Sequence, residues 1–265
     1  MERDHFSRRE FLQALGLGVP AGISLFSGFQ LANLYPFIPY LLTSEHGPVS
    51  PENFESLLNV EVTAPLAIKE NGLGRLFEVS FDKKEGAKAL YEVAETMMPK
   101  GGPSKLFEVL MAKPLEIMIQ PGKSMGRVVR GEAAIIYGEN LRFLFRGGPA
   151  ISFYKDMAAD YLAALEGENP DDLKEVDRVI IHECAHVMQD VKNPFAALPE
   201  AVHFGIQDML SQFGIVPEPI PMALDYEEEA RDIASRVVDR RQNQYQAEFP
   251  VSSWPFGHFF KFTEV

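Results

Sequence analysis

The segment Val179-Ile-Ile-His-Glu-Cys-Ala-His-Val-Met-Gln189 decides how the rest of the sequence is interpreted. Apolar residues recur around it at helical spacing, which predicts one long helix over residues 172–191. His182 and His186 are four positions apart, so on a helix their side chains lie about 40° apart around the axis and one turn apart along it. Two imidazoles in this arrangement can bind one metal ion. The segment therefore predicts a metal site on a helix.

Glu183 directly follows the first histidine of this pair. On a helix it is rotated by about 100° from His182, so its carboxylate can contact a water held by the ion without binding the ion itself. Glu183 is therefore the candidate general base. The alternative interpretation is a pair of core histidines with an incidental glutamate between them.

The pattern His182-Glu-x-x-His186 resembles the active-site helix of the zincin metallopeptidases. The extended metzincin signature is absent from the residues that follow, between Val187 and Pro199. The motif followed by Val187 and Gln189 resembles in particular the gluzincin group, in which a glutamate on a later helix is the third ligand. It implies one Zn²⁺ ion, a peptide or protein substrate, and Glu183 as the base that takes a proton from a zinc-activated water. The resemblance covers two helices only.

The candidate third ligand lies in Asp225-Tyr-Glu-Glu-Glu-Ala-Arg-Asp-Ile-Ala234, which begins 39 residues after His186. Two patterns of gluzincin-like families overlap there: Glu-x-x-Ala from Glu227 and Glu-x-x-x-Asp from Glu228. Glu227 lies on the flank of the apolar face of the predicted helix, whereas Glu228 lies opposite that face. We therefore expect Glu227 to be the ligand, with Glu228 and Glu229 as the alternatives.

An additional group that stabilises the oxyanion is common in such enzymes. Tyr226, His203 and Arg231 are candidates for this role, and their spacing selects none of them.

Residues 1–35 are expected to be an export signal. The stretch Ser7-Arg-Arg-Glu-Phe-Leu12, followed by a moderately apolar segment to about Leu34, resembles a twin-arginine signal. The resemblance implies that the twin-arginine export machinery carries the protein to the periplasm or the extracellular space. No clear Ala-x-Ala cleavage site follows, so the segment is either removed or kept as an anchor on the outer face of the cytoplasmic membrane. A surface helix that opens with an arginine pair is the alternative.

The remaining sequence predicts a Pro-rich linker over residues 36–51 and one domain over residues 52–265. The domain is expected to be α+β and zincin-like, with a small mixed or antiparallel sheet followed by a helical half that carries the metal site. The patterns predict a helix over 86–98, strands over 115–119, 133–137 and 141–145, and helices over 154–165, 172–191, 199–213 and 222–244.

Two parts of this domain carry further expectations. Strands 133–137 and 141–145 are expected to be antiparallel neighbours, and strand 141–145 either pairs with an extended peptide or is an ordinary core strand. The aromatic segment Trp254–Phe260 is expected to pack on the domain.

Composition and charge exclude some classes of function. The formal net charge of -13, from 25 Lys and Arg against 38 Asp and Glu, repels nucleic acid. The single cysteine, Cys184, cannot form an internal disulfide.

Two rival functions remain open at this stage. Glu183-x-x-His186 and Glu200-x-x-His203 together match the paired Glu-x-x-His feature of ferritin-like di-iron proteins. The other rival is an exported binding protein without enzymatic activity, whose metal site is structural or lost.

Overall fold

The computed structural model describes residues 49–62, 66–70, 73–120, 131–134, 149–167, 169–192, 221–241 and 258–265. Several predictions from the sequence fall outside these ranges and stay predictions: the export signal, most of the linker, strand 141–145, helix 199–213 and the Glu200-x-x-His203 motif.

The described residues form six helices and seven strands. In chain order the helices are α1 (Glu52–Glu55), α2 (Lys83–Met97), α3 (Gly102–Ala112), α4 (Lys155–Glu166), α5 (Pro170–Lys192) and α6 (Pro221–Arg240). The strands are β1 (Leu58–Val62), β2 (Leu66–Glu70), β3 (Leu73–Phe81), β4 (Leu115–Gln120), β5 (Gly131–Ala134), β6 (Ala150–Tyr154) and β7 (Phe260–Glu264). Within the described ranges, no helix is both long enough and apolar enough to cross a bilayer.

The strands form two sheets. The first has the order β1-β4-β6-β5, in which β1, β4 and β6 run parallel and β5 pairs with β6 in the antiparallel sense. The second is the antiparallel sheet β2-β3-β7. Parallel neighbours need a crossover connection, and the chain between β1 and β4 supplies one that includes α2 and α3.

The predicted α+β class is confirmed, and α2 precedes β4 as the patterns predict. The order differs from the prediction at α3, which the patterns did not predict, and at β7, which follows the helical half and joins the second sheet. The predicted single small sheet is in fact two sheets. The helices predicted over 86–98, 154–165, 172–191 and 222–244 correspond to α2, α4, α5 and α6, and the strands predicted over 115–119 and 133–137 correspond to β4 and β5.

Helix α5 lies in the centre of the core, where it packs against α2, α4, α6 and β5. Its apolar residues Leu173, Val176, Ile180, Ile181, Cys184, Val187, Met188 and Val191 are all buried. Helix α6 buries Ala230, Ile233, Ala234, Val237 and Val238. Burial of each larger aliphatic side chain contributes about 1.5–3 kcal/mol. Apolar packing therefore fixes how the two helices face each other, and with them any polar groups along their shared flank.

The C-terminal residues pack into an aromatic cluster with Phe81, Phe153 and Tyr161. Phe259 and Phe260 are each 1% exposed, and the backbone N–H of Phe259 donates to the hydroxyl oxygen of Tyr161 at 3.0 Å. This confirms the packing predicted for the aromatic segment over its described part, residues 258–260, and Trp254 lies outside the described ranges.

Candidate metal centre

Helix α5 presents His182 and His186 side by side. Their Nε2 atoms are 3.0 Å apart, and the rings meet edge to face with centroids 4.5 Å apart. The side chains are 17% and 13% exposed, so both rings are largely buried but open on one side. This is the arrangement that the four-residue spacing predicts for a helix.

Glu227 on helix α6 completes the group. Its Oε2 lies 3.4 Å from Nε2 of His182, and its Oε1 lies 3.3 Å from Nε2 of His186. Within the described part of the chain, His182, His186 and Glu227 form the group that could hold a metal ion. Ligands that surround zinc tetrahedrally at 2.0–2.2 Å lie about 3.3–3.6 Å from one another. The three side chains are therefore placed at nearly the separations that a single ion requires.

The two glutamates that follow Glu227, Glu228 and Glu229, have different surroundings. Glu228 is exposed. Glu229 accepts hydrogen bonds from Lys192 at 2.7 Å and from the side-chain amide of Gln189 at 3.0 Å. The preference for Glu227 that was drawn from the helix angle agrees with this geometry.

The surroundings of Glu227 keep its carboxylate ionised. Partial burial raises its pKa, but hydrogen bonds and charge interactions with His182 and His186 outweigh burial and lower the pKa well below the ordinary value. The guanidinium of Arg231 lies 3.7 Å from Oε2, with its side chain 74% exposed. A metal ligand must be deprotonated, so an ionised Glu227 suits this role.

Gln189 forms a link between the two helices that the sequence analysis missed. Its Oε1 lies 2.8 Å from Nδ1 of His186, and its Nε2 donates to the backbone carbonyl of Tyr226 at 2.8 Å. The side chain is 1% exposed. The available signal was its position three residues after His186, which places both on one face of a helix.

Glu183 and Cys184 lie between the two histidines and are both buried, with 5% and 2% exposure. Burial and the nearby charge of Glu183 raise the pKa of Cys184 to about 12. The thiol is therefore protonated at neutral pH. It belongs to the core rather than to the group of candidate ligands.

Two of the candidate oxyanion donors lie next to the centre. The ring of Tyr226 stacks over His186 with centroids 6.4 Å apart, and its hydroxyl donates to Oδ1 of Asp190 at 3.5 Å. Arg231 stands beside Glu227 on the exposed side. The third candidate, His203, lies outside the described residues.

Comparisons of the chain with protein-family models, with curated proteins and with solved structures found no match. The interpretation of the centre therefore depends on its own geometry and chemistry.

Proposed function

We propose that this chain is an exported zinc-dependent hydrolase with a zincin-like catalytic centre, and that it cleaves peptide bonds. The observation that carries the proposal is the convergence of His182, His186 and Glu227 at separations that suit one ion. Two imidazoles and one carboxylate are the donor set of catalytic zinc sites, which leave a fourth position open for water or substrate.

The residues of this chain have distinct roles in the proposed reaction. Zinc in such a site supplies Lewis acidity, which lowers the pKa of water towards neutrality and polarises a substrate carbonyl. Glu183 accepts the proton of the attacking water and delivers it to the leaving amine. Its burial, at 5% exposure, keeps this carboxylate away from bulk solvent.

The first sheet offers a reason to favour a peptide substrate. Among the strands in the described ranges, β5 is the last in the order of the first sheet, and it packs against α5, the helix that carries the histidines. An extended peptide could add to such a strand through main-chain hydrogen bonds. Strand 141–145, for which peptide pairing and an ordinary core position were the two expectations, lies outside the described ranges.

Glu183→Gln tests the proposal most directly, because it removes the base without removing any of the three ligands. We expect a normal zinc content, measured by elemental analysis of protein made without a histidine tag. Hydrolysis of a mixture of unstructured peptides should fall at least a hundredfold. The matched variant His182→Ala should lose both metal and activity.

Three outcomes would contradict this assignment. If the wild-type protein contains no zinc, the proposed metal centre is refuted and a binding protein is favoured. Unchanged hydrolysis by Glu183→Gln shows that Glu183 is not the base. Loss of metal from Glu183→Gln makes Glu183 itself a ligand, as in a di-iron protein.

Export is proposed separately, from Arg8 and Arg9 of the signal-like segment. Replacing both arginines with lysine should leave full-length precursor in the cytoplasm of cells that carry the twin-arginine machinery, as measured by fractionation and immunoblotting. Unchanged export of that variant would refute the assignment of this segment as a twin-arginine signal.

A further inference from the structure

The hydrogen bonds of Gln189 fix the direction of its side-chain amide. One end of the amide faces the backbone carbonyl of Tyr226 at 2.8 Å and the carboxylate of Glu229 at 3.0 Å. A carbonyl and an ionised carboxylate can only accept hydrogen bonds, so the group that faces them must be the NH₂. The amide oxygen therefore faces His186.

This direction decides which ring nitrogen of His186 carries the proton. The amide oxygen of Gln189 lies 2.8 Å from Nδ1, and an oxygen of this kind can only accept a hydrogen bond. Nδ1 must then be the donor, so a His186 ring that is neutral, as a metal ligand must be, has its lone pair on Nε2. Nε2 is the atom that lies 3.3 Å from Glu227 and 3.0 Å from His182. A neutral imidazole binds a metal through such a lone pair.

The same amide also anchors the helix that carries the third candidate ligand. Tyr226 immediately precedes Glu227, so a hydrogen bond to its carbonyl holds the backbone next to that carboxylate. Glu229 is held in turn by Lys192 of α5 at 2.7 Å. Gln189 thus contacts one candidate ligand directly and the backbone beside another.

We propose that Gln189 is a positioning residue of the metal centre. It selects the tautomer of His186 that can bind a metal through Nε2, and it sets the distance between that histidine and Glu227. The metal part of this inference rests on the proposed function, whereas the hydrogen bond from Nδ1 of His186 to Gln189 belongs to the metal-free protein as well.

Two substitutions separate the tautomer role from a simple link between helices. Gln189→Met has similar length but neither accepts from His186 nor donates to Tyr226, whereas Gln189→Glu still accepts from His186 and loses the donors. Both are made together with Glu229→Gln, which removes repulsion between carboxylates. Glu229→Gln alone is the reference.

The first measurement is the tautomer of His186 in metal-free protein, determined from the ¹⁵N chemical shifts of the imidazole. We expect the Nδ1–H form in the wild type, in the reference and in the Gln189→Glu protein. In the Gln189→Met protein the Nε2–H form should become populated, since nothing replaces the lost acceptor. A wild-type ring in the Nε2–H form would overturn the proposal.

The second measurement is zinc affinity by competition with a chelator. Loss of a partner that orients a ligating histidine lowers metal affinity roughly ten- to a hundredfold. We expect this loss in the Gln189→Met protein, and an affinity within about threefold of the reference in the Gln189→Glu protein. Unfolding of the metal-free proteins in urea should show a similar loss of stability in both, because both lose the bond to the Tyr226 carbonyl.

Equal losses of zinc affinity in both proteins, in proportion to their losses of stability, would show that Gln189 only links the helices. The proposed function fails by other results: a wild-type chain that binds no zinc, or Glu183→Gln protein that hydrolyses peptides normally. In either case the chemical shifts of His186 still decide which tautomer Gln189 selects.

Discussion

Glu227, Glu228 and Glu229 have the same side chain and differ only in what surrounds each carboxylate. Glu227 meets two imidazoles, Glu228 meets solvent, and Glu229 meets Lys192 and Gln189. Helix α6 turns by about 100° per residue, so three consecutive side chains must point in three directions. Only one of them can face the histidines.

The pair Glu227→Ala and Glu228→Ala tests this difference. Removing a ligand should lower zinc affinity tenfold or more, so we expect that loss for Glu227→Ala. Glu228→Ala removes an equal charge from the next position and should change affinity by less than about threefold. Competition with a chelator measures both. Full zinc retention by both variants would place the third ligand elsewhere.

The candidate metal group was predictable from sequence through two different signals. A spacing of four brings His182 and His186 together on any helix. The resemblance to the gluzincin group pointed to a glutamate on a later helix, and the apolar face of α6 favours Glu227 within that segment. Gln189 was not predictable as a link, since its partners Tyr226 and Glu229 lie 37 and 40 residues further along the chain. No local pattern reports a contact at that separation.

At the scale of elements, the predicted helices were those with a clear apolar period. No helix was predicted over α3, because Gly101-Gly102-Pro103, which follows the helix predicted over 86–98, is typical of a break between elements. The structure uses the same residues to begin a helix: Gly101 adopts a φ of 83°, and Pro103 lies in the first turn of α3. A single set of breaker residues serves both boundaries.

Strands β1 and β7 show that the pairing of strands is harder to predict from sequence than the strands themselves. The alternation in Leu58-Asn-Val-Glu-Val62 matches its burial and could have been recognised as a strand. The parallel pairing of β1 with β4 could not be predicted, because Leu58 pairs with Leu115, which is far away along the chain. Likewise Phe81 pairs with Phe260 across most of the chain. Pairing over such distances depends on the whole core rather than on local sequence.

Helix α2 approaches residues of strands β1 and β3 closely at Gly86. A Cβ at Gly86 would lie 3.0 Å from Cζ of Phe81, closer still to Cε1 of that ring, and 3.3 Å from Cδ1 of Leu58. Phe81 cannot easily move, since its ring packs against Phe153, Phe259 and Phe260.

We therefore expect Gly86→Ala to destabilise the protein. Overpacking costs about 1–3 kcal/mol, and the better helix propensity of alanine offsets up to about 1 kcal/mol. The urea midpoint should fall while the m-value stays constant. Gly74→Ala is the control, because a Cβ there meets nothing within 4 Å. A midpoint for Gly86→Ala that equals the wild-type value would show that the aromatic cluster can adjust.

At the scale of the whole molecule, α6 is held by more than the candidate metal centre. Arg241, just beyond its end, is 3% exposed, donates to Glu92 of α2 at 2.7 Å, and lies over the ring of Phe259. Removing one partner of a buried ion pair costs about 3–5 kcal/mol because the other charge is left unpaired, whereas the intact pair adds little net stability. The contact therefore fixes where α6 docks, and the apolar face of α6 should keep the protein folded without metal.

A chain that folds without metal and binds zinc between α5 and α6 must become more stable when zinc is added. A ligand that binds only the folded state stabilises it by about 4.1 kcal/mol at a thousand times its Kd. For a protein of this size each kcal/mol raises the unfolding temperature by about 2–4 °C. We therefore expect saturating zinc to raise Tm by roughly 10 °C in calorimetry. His182→Ala should unfold near the metal-free wild-type temperature and should not respond to zinc. An equal response in His182→Ala would mean that zinc stabilises the protein at another site.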